Sequence, residues 1–200
     1  MSDDLVFAIE GITSLADVKK ISPAIERNIR FTVNKGADKA RTLSAGEIQN
    51  QVNFPASYLR GDKRLAVTKR AQGNNLEAEI TGRRRPTSLA RFIVGGTSKR
   101  GGVSVSVQPG SSATIKRGFI LKLRSGTASL DQASNRGLAI RLKPGEKPSR
   151  AYKPFKIGDG LYLLYGPSVD QVFKTVRQDV QGDVLDFMEN EFLRLMESSL

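Results

Sequence analysis

The strongest condition on the fold comes from one apolar stripe near the end of the chain. Val169, Val172, Phe173, Val176, Val180, Val184, Phe187, Met188, Phe192 and Leu195 recur at three- and four-residue spacing, over about seven helical turns. Gly166-Pro167-Ser168 opens the stripe, and Ser168 and Gln171 stand at the spacing of a capping box. A helix this long needs more apolar cover than a small sheet can give. Part of it is expected on the sheet, and the rest on the first helix or on another subunit.

The first helix is signalled by Ser22-Pro23, a hydroxyl cap followed by a proline at the first helical position. Ile25, Ile29, Val33, Ala37 and Ala40 then share one face, with Arg27, Arg30, Lys35, Lys39 and Arg41 largely off it. The expected span is Ser22 to Ser44, interrupted or weakened at Gly36, with a short second helix from Ala56 to Arg60 after Pro55. Between the two helical regions the period changes to two. Leu65–Thr68 and Leu76–Thr81 flank a Gln72-Gly73-Asn74-Asn75 turn, and Val103, Val105 and Val107 alternate with serines up to Pro109-Gly110. Gly118–Leu123 and Gly137–Leu142 add two more strands. The fold class expected is α+β: an antiparallel sheet of about four or five strands flanked by a long N-terminal and a long C-terminal helix.

Two hundred residues fit a single domain. Its expected parts are an N-terminal arm (1–20), a helical region (21–64), sheet and loops (65–165) and the C-terminal helix (166–200). Gly95–Gly102, residues 125–136 and the proline-bearing stretch Lys143–Pro154 read as irregular connections. The start, with acids where a signal peptide carries basic residues, does not read as a leader. No window reaches the roughly 18 to 20 apolar residues of a membrane span.

With no cysteine and no histidine, disulfides, thiolate metal sites and the commonest general base are excluded. Carboxylate catalysis or a magnesium site stays formally open. Of the net charge of +12, residues 61–158 hold 21 basic against 5 acidic groups, whereas residues 159–200 hold 3 against 8. A basic middle suggests a polyanionic partner, and an acidic end suggests head-to-tail pairing of copies; the plainer reading is a solvated surface of uneven charge.

Arg83-Arg84-Arg85 is the densest basic run, with Lys99-Arg100 and Lys116-Arg117 as smaller ones. Clustered arginines neutralise phosphates without reading sequence, though a run at a strand end also suits a solvated turn. No aromatic residues interleave the runs, which argues against a single-strand stacking surface. The Gly95-Gly96 and Gly101-Gly102 loop lacks the phosphate-loop pattern and reads as a flexible loop. Asp183, Asp186, Glu189 and Glu191 read as a solvated or intersubunit helix face rather than a cation site. No catalytic constellation emerges.

Several segments carry a resemblance. Asn53-Phe54-Pro55-Ala56-Ser57-Tyr58-Leu59 closes the first helical region, and Arg85-Pro86-Thr87-Ser88-Leu89-Ala90-Arg91-Phe92 precedes the glycine-rich loop. Gly102–Val107 and Gly118-Phe119-Ile120 follow, and Leu164-Tyr165-Gly166-Pro167-Ser168-Val169 runs into the final helix. This order resembles the phage minor tail protein Z family, in which a basic N-terminal helix, an LPASYL-like turn, a GxFI strand and an LYGPSV-to-helix junction recur. The resemblance covers roughly residues 20–200, and the chain departs from the family's basic habit in its acidic last helix. It implies a non-enzymatic virion protein at the neck or upper tail, without a cofactor, that completes the tail or joins it to the head. The implied partners are further copies in a ring, with six expected from the six-fold build of tails. Connector and tail-terminator or tail-tube proteins would adjoin the ring, and double-stranded DNA would pass weakly bound through its lumen. Arg83, Arg84, Arg85, Lys99 and Arg100 are the candidate channel or intersubunit contacts, and Gly166, Pro167 and Ser168 the structural junction. The rival reading is a sequence-independent basic nucleic-acid-binding protein.

Overall fold

The structure, a computed structural model, describes residues 23–95, 102–123, 136–149 and 151–198, together with the backbone of 5–7. The expected N-terminal arm apart from 5–7, Ser22, all of residues 96–101 with Lys99 and Arg100, and residues 124–135 lie outside the described residues.

Helix α1 (Pro23–Gln51) runs without a break through Gly36 and extends past the expected end near Ser44. Its buried positions Ile29, Val33, Ala37, Ala40, Ser44 and Ile48 keep the three- and four-residue spacing, so the apolar face is continuous. Gly36 does not weaken the helix. It marks where the C-terminal helix comes closest, since a Cβ there would lie 2.5 Å from Met188 Sδ. Helix α2 (Ala56–Arg60) spans the residues expected of it.

Among the described residues the strands are all antiparallel and fall into three sheets rather than one. β1 (Leu5–Phe7), β2 (Leu65–Lys69) and β3 (Ala78–Gly82) form the first, in the order β1-β3-β2. β4 (Val103–Val105) and β5 (Ala113–Ile115) form a hairpin whose Pro109-Gly110 turn places Gly110 at φ 72°. β6 (Gly118–Lys122), β7 (Arg136–Arg141), β8 (Lys153–Gly158) and β9 (Leu161–Tyr165) make the third, in the order β6-β7-β9-β8. The Lys143–Pro154 stretch is therefore irregular only in its first part, because β8 begins at Lys153.

The last helical region is two helices, α3 (Val169–Val176) and α4 (Gln181–Glu197). Between them the Asp179 N–H donates to the Val176 carbonyl and the Gln181 N–H to the Gln178 carbonyl, bonds that span three residues instead of four. The tighter winding turns the chain while Val176, Val180 and Val184 all stay buried. α3 packs on β3 and α1, and α4 lies along α1. The stripe is thus covered mainly by the chain's own first helix. At its outer edge Leu185 and Leu193 stay about half exposed. A single core cluster joins α1, β2, β3, α3 and α4 to Leu89, Phe92, Leu138, Ile140 and Leu164.

Candidate functional site

The basic run at residues 83–85 follows the end of β3, and its backbone is strapped on two sides. The Arg83 N–H donates to the Arg64 carbonyl at 2.7 Å, and the Arg83 carbonyl accepts from the Asp170 N–H at 3.1 Å. Gly82 lets α3 come this close, since a Cβ there would stand 2.7 Å from Asp170 Cα. A little further on, the Gly166 N–H donates to the Thr87 carbonyl at 2.8 Å, and the Thr87 N–H to the Pro167 carbonyl at 3.3 Å. Ser88 and Tyr165 form an isolated antiparallel bridge. Ser168, buried, caps α3: its Oγ accepts from the Gln171 N–H, and the Gln171 side chain accepts from the Ser168 N–H. The Gly166-Pro167-Ser168 junction and the arginine run are thus one construction.

The three arginines of the run separate. Arg83 is half-buried and its Nη1 donates to the Tyr58 hydroxyl at 3.3 Å. Arg84 and Arg85 are exposed. Tyr58, 3 % exposed, also exchanges a hydrogen bond with Thr87 Oγ1 at 3.1 Å. Two further guanidiniums lie over its ring, Arg64 at 4.1 Å and Arg91 at 4.5 Å from the centroid. Arg64 is itself buried and donates to the Tyr58 carbonyl at 3.0 Å. Cations so placed are stabilised by the ring quadrupole and by the carbonyl, which offsets part of their desolvation. Sequence reasoning did not single out Arg64 or Arg91. The signal available was that Tyr58 and Arg91 both lie in the segments that carry the family resemblance.

The other charged residues are held to differing degrees. Arg117, from the Lys116-Arg117 pair, bridges to Glu146 at 2.9 Å. The Glu146 carboxyl is held below its ordinary range first by the Lys143 N–H and then by Arg117. Glu191 departs from its acidic neighbours and turns inward, where it meets Lys35 of α1 and Arg194. Hydrogen bonds from Arg194 and then Lys35 push its carboxyl down to about 2. Asp183, Asp186 and Glu189 stay on the outer, exposed side of α4. Among the described residues no group of three or more acids gathers as a cation site.

Of the five candidate contacts named from the sequence, Arg84 and Arg85 are the exposed ones among the described residues, on a backbone fixed by the junction. Comparison of the chain with protein-family models, with curated proteins and with solved structures found no match.

Proposed function

We propose that this chain is a non-enzymatic structural subunit of the neck or upper tail of a tailed phage, acting as one copy in a ring around the DNA channel. The observation that supports it most is where the resembling segments meet. The Asn53–Leu59 turn, the Arg85–Phe92 segment and the Leu164–Val169 junction are far apart in sequence. They converge on the contacts among Tyr58, Thr87 and Gly166 that hold the basic run. Motifs of this kind serve here as braces for an exposed cationic tip, a use that needs no reacting side chain.

A conduit for DNA needs weak attraction, because tight phosphate contacts would retain the genome. In this reading Arg84 and Arg85, with Lys99 and Arg100, face the lumen or a neighbouring subunit, and Arg83 supports them from within. Isolated subunits then bind duplex DNA weakly, without sequence preference, and with an affinity that falls steeply as salt rises. The test is a phage whose genome encodes the chain, with that gene removed. Heads and tails that fail to join, or tails left unfinished, and their rescue by the chain supplied in trans, are the expected result. Normal virions without the chain refute the reading. Tight duplex binding by single subunits, with none of the chain in virions, puts the nucleic-acid-binding alternative in its place.

A further inference from the structure

The two ends of the charge gradient lie on two separate surfaces, each carrying exposed apolar side chains. One is β8, the outermost strand of the four-stranded sheet. Five of its six residues are exposed, among them Phe155 at 61 % and Ile157 at 40 %. Phe155 stands opposite Leu163, which in turn stands opposite Ala139. By strand alternation these residues lie on the opposite side of the sheet from Leu138, Ile140 and Leu164; Ala139 and Leu163 are buried there too, so that side is open along the β8 edge. Lys153 shares the side of Phe155, with its Nζ donating to Gln171 Oε1 at 2.9 Å, whereas Lys156, opposite Tyr162, projects from the other side of the same edge strand. Both lysines are exposed, as is Arg141 in β7. Large apolar groups on an exposed edge strand mark an interaction surface.

This edge is poorly made for pairing with another strand. Pro154 has no N–H to offer, and the register slips between Lys156 and Gly158. Side chains on a helix suit it better than a further strand.

The second surface is such a helix. On α4, Asp186, Glu189, Leu193 and Glu197 follow one another at three- and four-residue spacing and therefore share the outward face. Asp183 and Leu185 are also exposed, and Leu193 is 53 % exposed. The helix holds one basic residue, Arg194, and that one is bound to Glu191. An acidic face with exposed leucines thus matches a basic strand edge with an exposed phenylalanine and isoleucine.

We propose that the outward face of α4 on one copy docks against the exposed β8 edge of a second copy of the same chain. Leu185 and Leu193 meet Phe155 and Ile157, and Asp186 and Glu189 lie opposite Lys153 and Lys156, which reach out from the two sides of the edge. Because the two surfaces differ, each copy presents one of each, and the contact is heterologous: it propagates from copy to copy until a rotation closes it. The inference rests on the ring reading above and names the interface that would build the ring.

The experiment uses the full chain and follows its mass by sedimentation velocity at low and high salt. Wild type is expected to form species larger than a dimer, weakened by salt. Phe155→Asp and Leu193→Asp, both at exposed positions, are each expected to be monomeric with unchanged circular dichroism. Mixed together, they should give a one-to-one heterodimer and nothing larger, because the first retains an intact α4 and the second an intact β8. The charge-reversed pair Lys153→Glu/Lys156→Glu should also be monomeric, and should recover association when mixed with Asp186→Lys/Glu189→Lys. Variants that assemble like wild type overturn this interface while leaving the ring reading in place. A mixture that stays monomeric overturns it as well, and so does loss of assembly in only one of the two single variants, which indicates a like-with-like contact. A wild type that is monomeric at every concentration overturns the interface. The ring reading is then decided separately, by whether neck particles contain the chain.

Discussion

The seat of α4 on α1 is tested by one pair of glycines in the same helix. Alanine is favoured over glycine in a helix interior by about 1 kcal/mol. At Gly46 nothing lies within 4 Å of an added Cβ, so Gly46→Ala should gain about 0.5–1 kcal/mol. At Gly36 the same methyl would lie 2.5 Å from Met188 Sδ and 2.6 Å from Met188 Cγ. Met188 is buried and cannot swing into solvent without giving up its contacts. Overpacking of this kind costs about 1–3 kcal/mol, so Gly36→Ala should lose about 1 kcal/mol net despite its better propensity. Met188→Ala alone should cost about 2–4 kcal/mol through lost burial and the cavity left behind. With that side chain gone, Gly36→Ala should turn stabilising by about 1 kcal/mol, which makes the coupling between the two sites roughly 2 kcal/mol. Urea unfolding followed by far-ultraviolet circular dichroism measures all four states of the cycle. If Gly36→Ala stabilises wild type as much as Gly46→Ala does, and the cycle shows no coupling, α4 does not seat on α1 at Met188.

Three further outcomes follow from the same structure. Tyr58→Phe keeps the ring under Arg64 and Arg91 but removes the hydroxyl shared by Thr87 and Arg83, and should cost about 1–2 kcal/mol in urea unfolding; a neutral result would mean that the hydroxyl is not bound. The Glu191 carboxyl is held at about 2 in the folded chain. Its contribution is therefore complete above the ordinary carboxylate range and is lost as pH falls through that range towards about 2. Acid titrations of stability should lose this component in Glu191→Gln, and identical acid limbs in the two proteins would refute the pairing. Arg84→Ala/Arg85→Ala should lower the salt slope of duplex binding by about 2, whereas Arg83→Ala should show mainly as lost stability; equal effects on DNA binding from all three would contradict the division of the run.

Elements with a local cause were readable from the residues. Ser168 and Gln171 form the capping box that their spacing announced, and α2 occupies the residues after Pro55 that were expected to turn helical. Elements whose cause is tertiary were not. Leu161–Tyr165 buries Leu163 and Leu164 in succession, so it shows none of the alternation that reveals a half-buried strand. β8 is exposed along nearly its whole length and starts at Lys153-Pro154, the end of the stretch read as irregular, so neither alternating burial nor composition marked it as a strand. The turn between α3 and α4 was invisible for the opposite reason. Val176, Val180 and Val184 keep helical spacing across it, and three-residue hydrogen bonds can redirect a chain without disturbing the order of its apolar residues.

The candidate site divides in the same way. A run of three arginines is visible in any sequence, but nothing local separates Arg83 from Arg84 and Arg85. The difference is made by Tyr58, which α2 presents at the point where the strap from the 166–168 junction holds the run. A half-buried guanidinium engaged by a buried phenol is partly desolvated, and pulling it out to meet a phosphate would forfeit that contact and expose the pocket around Tyr58. Arg64, deeper still, is bound to the Tyr58 carbonyl and ring. Net charge therefore overstates what this surface can offer a polyanion. Part of the excess of basic residues 61–158 serves the fold, and the part left to act on DNA or on a neighbouring copy is set by where the backbone straps place it.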